Sequence, residues 1–150
     1  MFKQSKMLAL IMVGVAPMAQ AADGLLMQPS SHSVTVTVDR LEAGLKAAGF
    51  RIFARVDHAA GAQSVGMPLA PTELLIFGKP KGGTALLQSQ RTVGIDLPLK
   101  YLVWQDNGGK VMVGWNDPNW VVERHGITDK APVVNTLTGS LQKFAAEAAN

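Results

Sequence analysis

The chain has no cysteine. That absence excludes disulfide staples, thiolate nucleophiles, iron–sulfur clusters and haem attached through thioethers. Metal-ligand spacing is missing too. His32, His58 and His125 stand far apart, and no H-E-x-x-H occurs. G-x-S-x-G is absent, and Ser64 and Ser89 lie in polar turns where serine is ordinary. The carboxylates Asp57, Glu73, Asp96 and Asp106 are widely separated, so no acid pair is visible as a local motif. Lys and Arg occur singly, without the concentrated basic face that a nucleic-acid partner requires. Met27, Met67 and Met112 are too scattered for a thioether copper site.

Long hydrophobic runs are also lacking. The apolar stretch Met7–Val15 is too short for a hydrocarbon core that needs about 20 residues. It follows Lys3 and Lys6 and precedes Ala19-Gln20-Ala21, a small-x-small cleavage site. This order predicts a secretory signal peptide over residues 1–21, with export to a bacterial periplasm and no membrane anchor after cleavage. The leader takes two of the fourteen basic residues, leaving twelve against eleven acidic ones, close to neutral. Residues 22–31, with Pro29, Ser30 and Ser31, are expected to be a flexible lead-in. Residues 32–150 are expected to form one α+β domain whose core must supply its stability.

Within that domain, Ser33–Val38 alternates with β-branched residues and predicts a strand. Asp39 and Glu42 have capping-box spacing ahead of a helix carrying Leu41, Leu45 and Ala48, with Gly49 and Phe50 as a Schellman stop. Strands are expected over Arg51–Val56 and Glu73–Phe77, with a short helical stretch from His58 to Val65 between them. Gly82–Ser89 reads as a short helix. Asp106-Asn107-Gly108-Gly109 is a hairpin turn between strands Leu99–Gln105 and Lys110–Trp115, across which Trp104 and Trp115 could pair. Asp117-Pro118 opens a helix running to Arg124, and Leu137, Leu141, Phe144 and Ala148 mark an amphipathic last helix starting near Asp129. The fold class expected is α+β, a mostly antiparallel sheet with helices on one face.

Two constellations could carry chemistry. Gly78–Thr84 has the outer glycines of a phosphate loop but places Thr84 where the lysine belongs, and Pro80 removes an amide. A turn feeding a helix is the plainer reading, with Lys79 and Lys81 left able to hold a simple anion. Asp57 and His58 are adjacent, but strand neighbours point to opposite faces, so they converge only if the chain turns there.

The ordered set Arg51-Ile-Phe-Ala-Arg-Val-Asp57-His58, Pro71–Pro80, Gly83-Thr84, Gly94-Ile-Asp96-Leu97-Pro98-Leu99-Lys100, Trp115–Pro118 and Arg124-His125-Gly126 resembles the domain of unknown function 302 family. The resemblance runs from about Val36 to Gly126. It implies a TBP-like strand-helix-four-strand-helix domain that tends to form homodimers, and it implies no activity and no cofactor. Asp57, His58, Asp96, Lys100, Gly83 and Thr84 sit where family members carry the same residues and form the candidate ligand site. The glycines have a backbone explanation, whereas the charged residues do not. The first functional reading is therefore a non-enzymatic binding or interaction module, a homodimer with a small apolar or anionic ligand. The alternatives are an enzyme using Asp57 and His58 as acid and base, and a histidine-based metal protein.

Overall fold

The computed structural model describes residues 22–150, and the leader read over residues 1–21 lies outside them. The elements run β1 (Leu25–Ser30), α1 (Val34–Ala47), β2 (Arg51–Asp57), α2 (His58–Ser64), β3 (Thr72–Gly78), α3 (Pro80–Ser89), a 3-10 turn (Arg91–Ile95), β4 (Leu99–Gln105), β5 (Val111–Asn116), α4 (Pro118–Arg124) and α5 (Ala131–Ala149). The strands form one sheet in the order β1-β5-β4-β3-β2, with every pairing antiparallel. With the short α2, α3 and α4 set aside, this is the expected strand, helix, four strands, helix.

Alternation along the strands sends Leu75 and Phe77 of β3, Tyr101 and Val103 of β4, and Val113 and Trp115 of β5 to one face. There they bury beneath Val34, Val38, Leu41 and Leu45 of α1 and Leu141, Ala145 and Ala148 of α5. Five aromatic rings cross this layer in sequence. Phe144 meets Phe50 and Phe50 meets Phe77 edge-on, both at 5.7 Å; Phe77 stacks on Tyr101 at 5.1 Å; Tyr101 meets Trp115 edge-on at 5.8 Å. The Tyr101 hydroxyl donates to the Leu141 carbonyl at 2.6 Å, and burial pushes the phenol above its ordinary pKa. A second, smaller cluster joins Leu86, Val93, Val121, Ile127 and Val134 under α3, the 3-10 turn, α4 and the start of α5.

The structure corrects four local expectations. Ser33–Val38 is not a strand. Ser33 caps α1 by accepting from the Val36 amide, and Val34–Val38 form its first turns. Val34, Val38, Leu41 and Leu45 then step at helical spacing onto the core, while the Thr37 hydroxyl donates back to the Ser33 carbonyl at 2.8 Å. Asp39 and Glu42 accordingly lie inside the helix and cap nothing. Glu42 does pair with Lys46, and the Phe50 amide does reach the Leu45 carbonyl beyond Gly49. The expected lead-in contains β1, which pairs with β5 from Leu25↔Asn116 to Ser30↔Val111. Trp104 and Trp115 point to opposite faces: Trp115 is in the core, and Trp104 lies across Gly114 on the other side.

The sheet's edges are irregular, with Pro29 within β1 and a bulge between Ile52 and Ala54 in β2. A polar clamp joins α1 to the sheet. Arg55 of β2 donates to Glu73 of β3 and to Asp39 of α1, each at 2.5 Å, and the Thr35 hydroxyl donates to Glu73 at 3.0 Å. These carboxylates, Glu73 foremost, hold the Arg55 guanidinium above its ordinary pKa despite partial burial.

The chain enters β1 at Gly24, with φ +75°, where an added Cβ would lie 2.2 Å from the Trp120 ring. Gly24→Ala combines a left-handed penalty of about 1–2 kcal/mol with a displaced indole. A loss of about 2 kcal/mol or more is expected in urea unfolding. An unchanged midpoint would show that Trp120 does not rest on Gly24 in solution.

Candidate functional site

The two hydrophobic clusters do not close against each other, and a cleft of about 880 Å³ opens along their seam. Its local cause is α3. This helix begins with Pro80 at its first turn, continues through Gly82 and Gly83, and buries only Leu86. A Cβ built on Gly82 meets nothing within 4 Å, and one on Gly83 meets only Leu97 at 3.9 Å. The first turn therefore presents bare backbone, and α5 stands across the gap. The floor is the half-buried end of the main core, with Phe50, Phe144 and Leu99, joined by Leu137 from the second cluster. Lys79 and Lys81 stand at the rim, and the Lys79 ammonium lies 4.5 Å above the Phe50 ring. Thr84 and Ser140 add hydroxyl-bearing side chains to the lining, which contains no acidic residue. The volume is in the range of small-molecule sites.

A polar cluster lies beside this cleft. Asp96 ends the 3-10 turn and accepts from His125 Nε2 at 2.6 Å and from Arg124 at 3.2 Å. The His125 and Asp96 side chains are only 7% and 10% exposed. A carboxylate can only accept, so Nε2 carries the proton toward Asp96, and in the neutral ring Nδ1 accepts from the Thr92 hydroxyl at 3.0 Å. The hydroxyl–imidazole–carboxylate order is that of a nucleophilic relay. Thr92 is exposed, however, and lines neither this cleft nor the smaller cavity under α4. What the cluster does is tie the 3-10 turn to the end of α4. Lys100 reinforces the same corner by donating to the carbonyls of Pro98 at 2.7 Å and Asp96 at 3.1 Å. Desolvation lowers the Lys100 pKa below its ordinary value, against the pull of Asp96.

The candidate residues thus separate into three places. Gly83 and Thr84 line the cleft. Asp96 and Lys100 form the buttress behind it, together with His125, a partner 29 positions away that no local pattern indicates. Asp57 and His58 stand at the far end of the sheet. Asp57 pairs with Glu73 at the start of β3, whereas the cleft opens at Gly78, its end. Asp57 caps α2 by accepting from the Ala60 amide at 2.8 Å, and His58 is exposed. His32 contacts the Asn150 carbonyl, so the three histidines do not converge, and among the described residues no cluster has the makings of a metal site. Ser140-Leu141-Gln142-Lys143 has S-x-x-K spacing on α5, but Lys143 is turned outward toward Glu147 at 3.8 Å, which leaves Ser140 without an activating base. Sequence reasoning assigned Leu137 and Phe144 to helix packing and missed that they also floor a cleft. The available signal was the side-chain-poor Pro80–Gly83 turn.

The family model described as "Domain of unknown function DUF302" matches residues 27–146. Among curated proteins, "Fluoride-specific ion channel FluC 1" of Brucella suis biovar 1 (strain 1330) is 46% identical over 135 residues, covering 87% of this chain and 53% of that protein. The protein of the same name in Brucella abortus biovar 1 (strain 9-941) is also 46% identical, with 87% and 50% covered. The chain therefore spans about half the length of the curated relatives it matches. Among solved structures, the crystal structure of an uncharacterized conserved protein DUF302 from Bacillus stearothermophilus has a TM-score of 0.67 at 24% identity, covering 85% of this chain and 97% of that one, and shares the fold.

Proposed function

The chain belongs to the DUF302 family, and from that premise we propose that it is a non-enzymatic binding module, exported to the periplasm, that works as a homodimer and holds a small ligand in the cleft between α3 and α5. The observation that carries the binding reading is the cleft itself, an apolar space with cations at its rim and no activated nucleophile beside it. Binding needs only such a pre-formed, mostly apolar concavity. Catalysis would need an acid or base within hydrogen-bond reach of a bound substrate.

The homodimer reading rests on the second face of the sheet. Strands exposed on one side normally alternate apolar with polar residues, whereas strands covered on both sides are apolar throughout. β3 and β4 are of the second kind, with Leu74-Leu75-Ile76-Phe77 and Leu102-Val103-Trp104. Their odd-numbered residues bury under α1 and α5, while Leu74, Ile76, Leu102 and Trp104 turn to the other face, joined there by Met112 and Met27. Of the described helices that reach β3, α1 lies on the core side; α2 touches the strand but buries none of its own residues, and Leu74, Ile76, Leu102 and Trp104 are half-buried. Lys100 shares the face and turns its ammonium onto the carbonyls of Pro98 and Asp96, and Arg51 lies at its β2 edge. Val65, Met67 and Leu69, exposed in the loop after α2, add apolar area near the start of β3. A largely apolar sheet face suits an isologous pairing of two copies.

Light scattering on protein recovered from the periplasm is expected to give twice the mass of the chain that begins at Ala22, with an N-terminal sequence beginning at that residue. Leu74→Lys with Leu102→Lys is expected to yield a folded monomer, since each buried charge opposes pairing. A monomeric wild-type protein would remove the homodimer reading, and an N-terminus at Met1 would remove the export reading.

The Brucella relatives carry a channel name, and this chain corresponds to about half of each. No helix among the described residues is long and apolar enough to cross a membrane. On our reading, the ion path of those relatives belongs to the half that this chain does not match.

A further inference from the structure

We propose that the cleft takes a single-chain amphiphile, an alkyl chain ending in one anionic head group; this deepens the binding-module reading and rests on it. The lining sorts by chemistry. Phe50, Phe144, Leu99 and Leu137 make a hydrocarbon floor, which favours a flexible apolar body over a polar or sugar-like one. Formal charge enters the lining only through Lys79 and Lys81, which flank Pro80 at the start of α3. Neither lysine is ion-paired among the described residues. The Lys79 ammonium is held 4.5 Å above Phe50, where the apolar floor meets the rim. A ligand with its tail on the floor thus ends its head beside two uncompensated positive charges. On the α5 wall, the Thr136 hydroxyl already donates to the Pro132 carbonyl at 2.9 Å, and Ser140 offers only an uncharged hydroxyl, so that side carries no charge to match the two lysines. A cationic head would be repelled at the rim, and a neutral one would leave both lysines unengaged.

The room for a chain comes from Gly82 and Gly83, whose missing side chains leave the α3 wall open. The Asp96–His125 pair and Lys100 hold the turn that follows α3, so the wall is braced without a ligand. The cleft is pre-formed, and the cost of ordering on binding falls on the alkyl chain.

Isothermal titration of the purified protein below micelle-forming concentrations tests this with decanoate, decyl phosphate and decyltrimethylammonium. At least one anion should bind about tenfold or more tightly than the cation, the scale of one charge-assisted contact. The tighter anion distinguishes a fatty carboxylate from a lipid phosphate as the source of the head. The preference should weaken as salt is added. It should collapse in a Lys79→Gln, Lys81→Gln double variant, which changes two exposed side chains. Thr136→Trp, which fills the cleft from an exposed helical position, should abolish binding of all three probes. If all three bind equally, the anionic-head proposal fails while the binding reading stands. If none binds to the folded wild-type protein, both fail. Anion binding that survives Thr136→Trp places the ligand elsewhere and overturns the site.

Discussion

Replacing Phe77 by alanine will cost about 3–5 kcal/mol of unfolding free energy, the range for large-to-small changes of a buried aromatic residue. For a domain of this size the midpoint of thermal unfolding should fall by about 10–20 °C. Phe77 is fully buried at the middle of the five-ring row, stacked on Tyr101 and met edge-on by Phe50. Its removal leaves a void that strand residues, fixed by pairing to β2 and β4, cannot close. The effect also reaches the cleft, because Phe50 is part of its floor and leans on Phe77. Phe77→Leu keeps most of the volume and should cost clearly less. Circular dichroism melts of both variants check this. A loss below about 1.5 kcal/mol for Phe77→Ala would mean that the row is not packed as described.

The second large effect is electrostatic. Arg55→Met removes the guanidinium that faces Glu73, a carboxylate whose side chain is 9% exposed and has no other cationic partner among the described residues. Breaking a buried pair by deleting one member strands the other charge, which costs about 3–5 kcal/mol in fully buried cases. Arg55 is 28% exposed, so a smaller loss of about 2–3 kcal/mol is expected here. Arg55→Met combined with Glu73→Leu should recover most of it, because an apolar pair replaces a desolvated ion pair at little net cost. Urea unfolding of the two single variants and the double variant gives the coupling directly. A double variant no better than Arg55→Met would show that the arginine acts through Asp39 on α1 rather than through Glu73.

Much of the fold could be read locally because its signals are local. The Asp106–Gly109 turn, the Gly49 stop and Asp117-Pro118 each act through backbone geometry within a few residues, and each is found where it was expected. The Ser33–Val38 segment shows the opposite case. Val-Thr-Val-Thr-Val has the period of a strand, and valine and threonine carry little helix propensity. Val34 and Val38 nonetheless also fall four apart and continue into Leu41 and Leu45, so the same residues satisfy a helical period over a longer window. Burial of that longer stripe against the sheet outweighs the small propensity cost. β1 was missed for a different reason. Pro29 within a short apolar run argues against a strand, but an edge position tolerates it.

The candidate site was less legible because its parts are brought together by the fold. The family resemblance singles out Asp96 and Lys100, but their partner His125 lies across the end of α4, and the cleft they brace is a gap. A gap has no residue type. Gly82 and Gly83 signal it only once the helix facing them is known.

The irregular edges of the sheet bear on how this protein can associate with itself. Pro29 deprives β1 of an amide, and the bulge between Ile52 and Ala54 interrupts the outer rhythm of β2. Neither border offers the unbroken ladder of donors and acceptors that an incoming strand needs. Copies of the chain are therefore steered away from end-to-end sheet growth, the route toward fibrils. On the homodimer reading proposed above, a closed pair would cover the apolar layer of Leu74, Ile76, Leu102 and Trp104, and a chain without its partner would be adhesive on that face while its borders resist polymerisation.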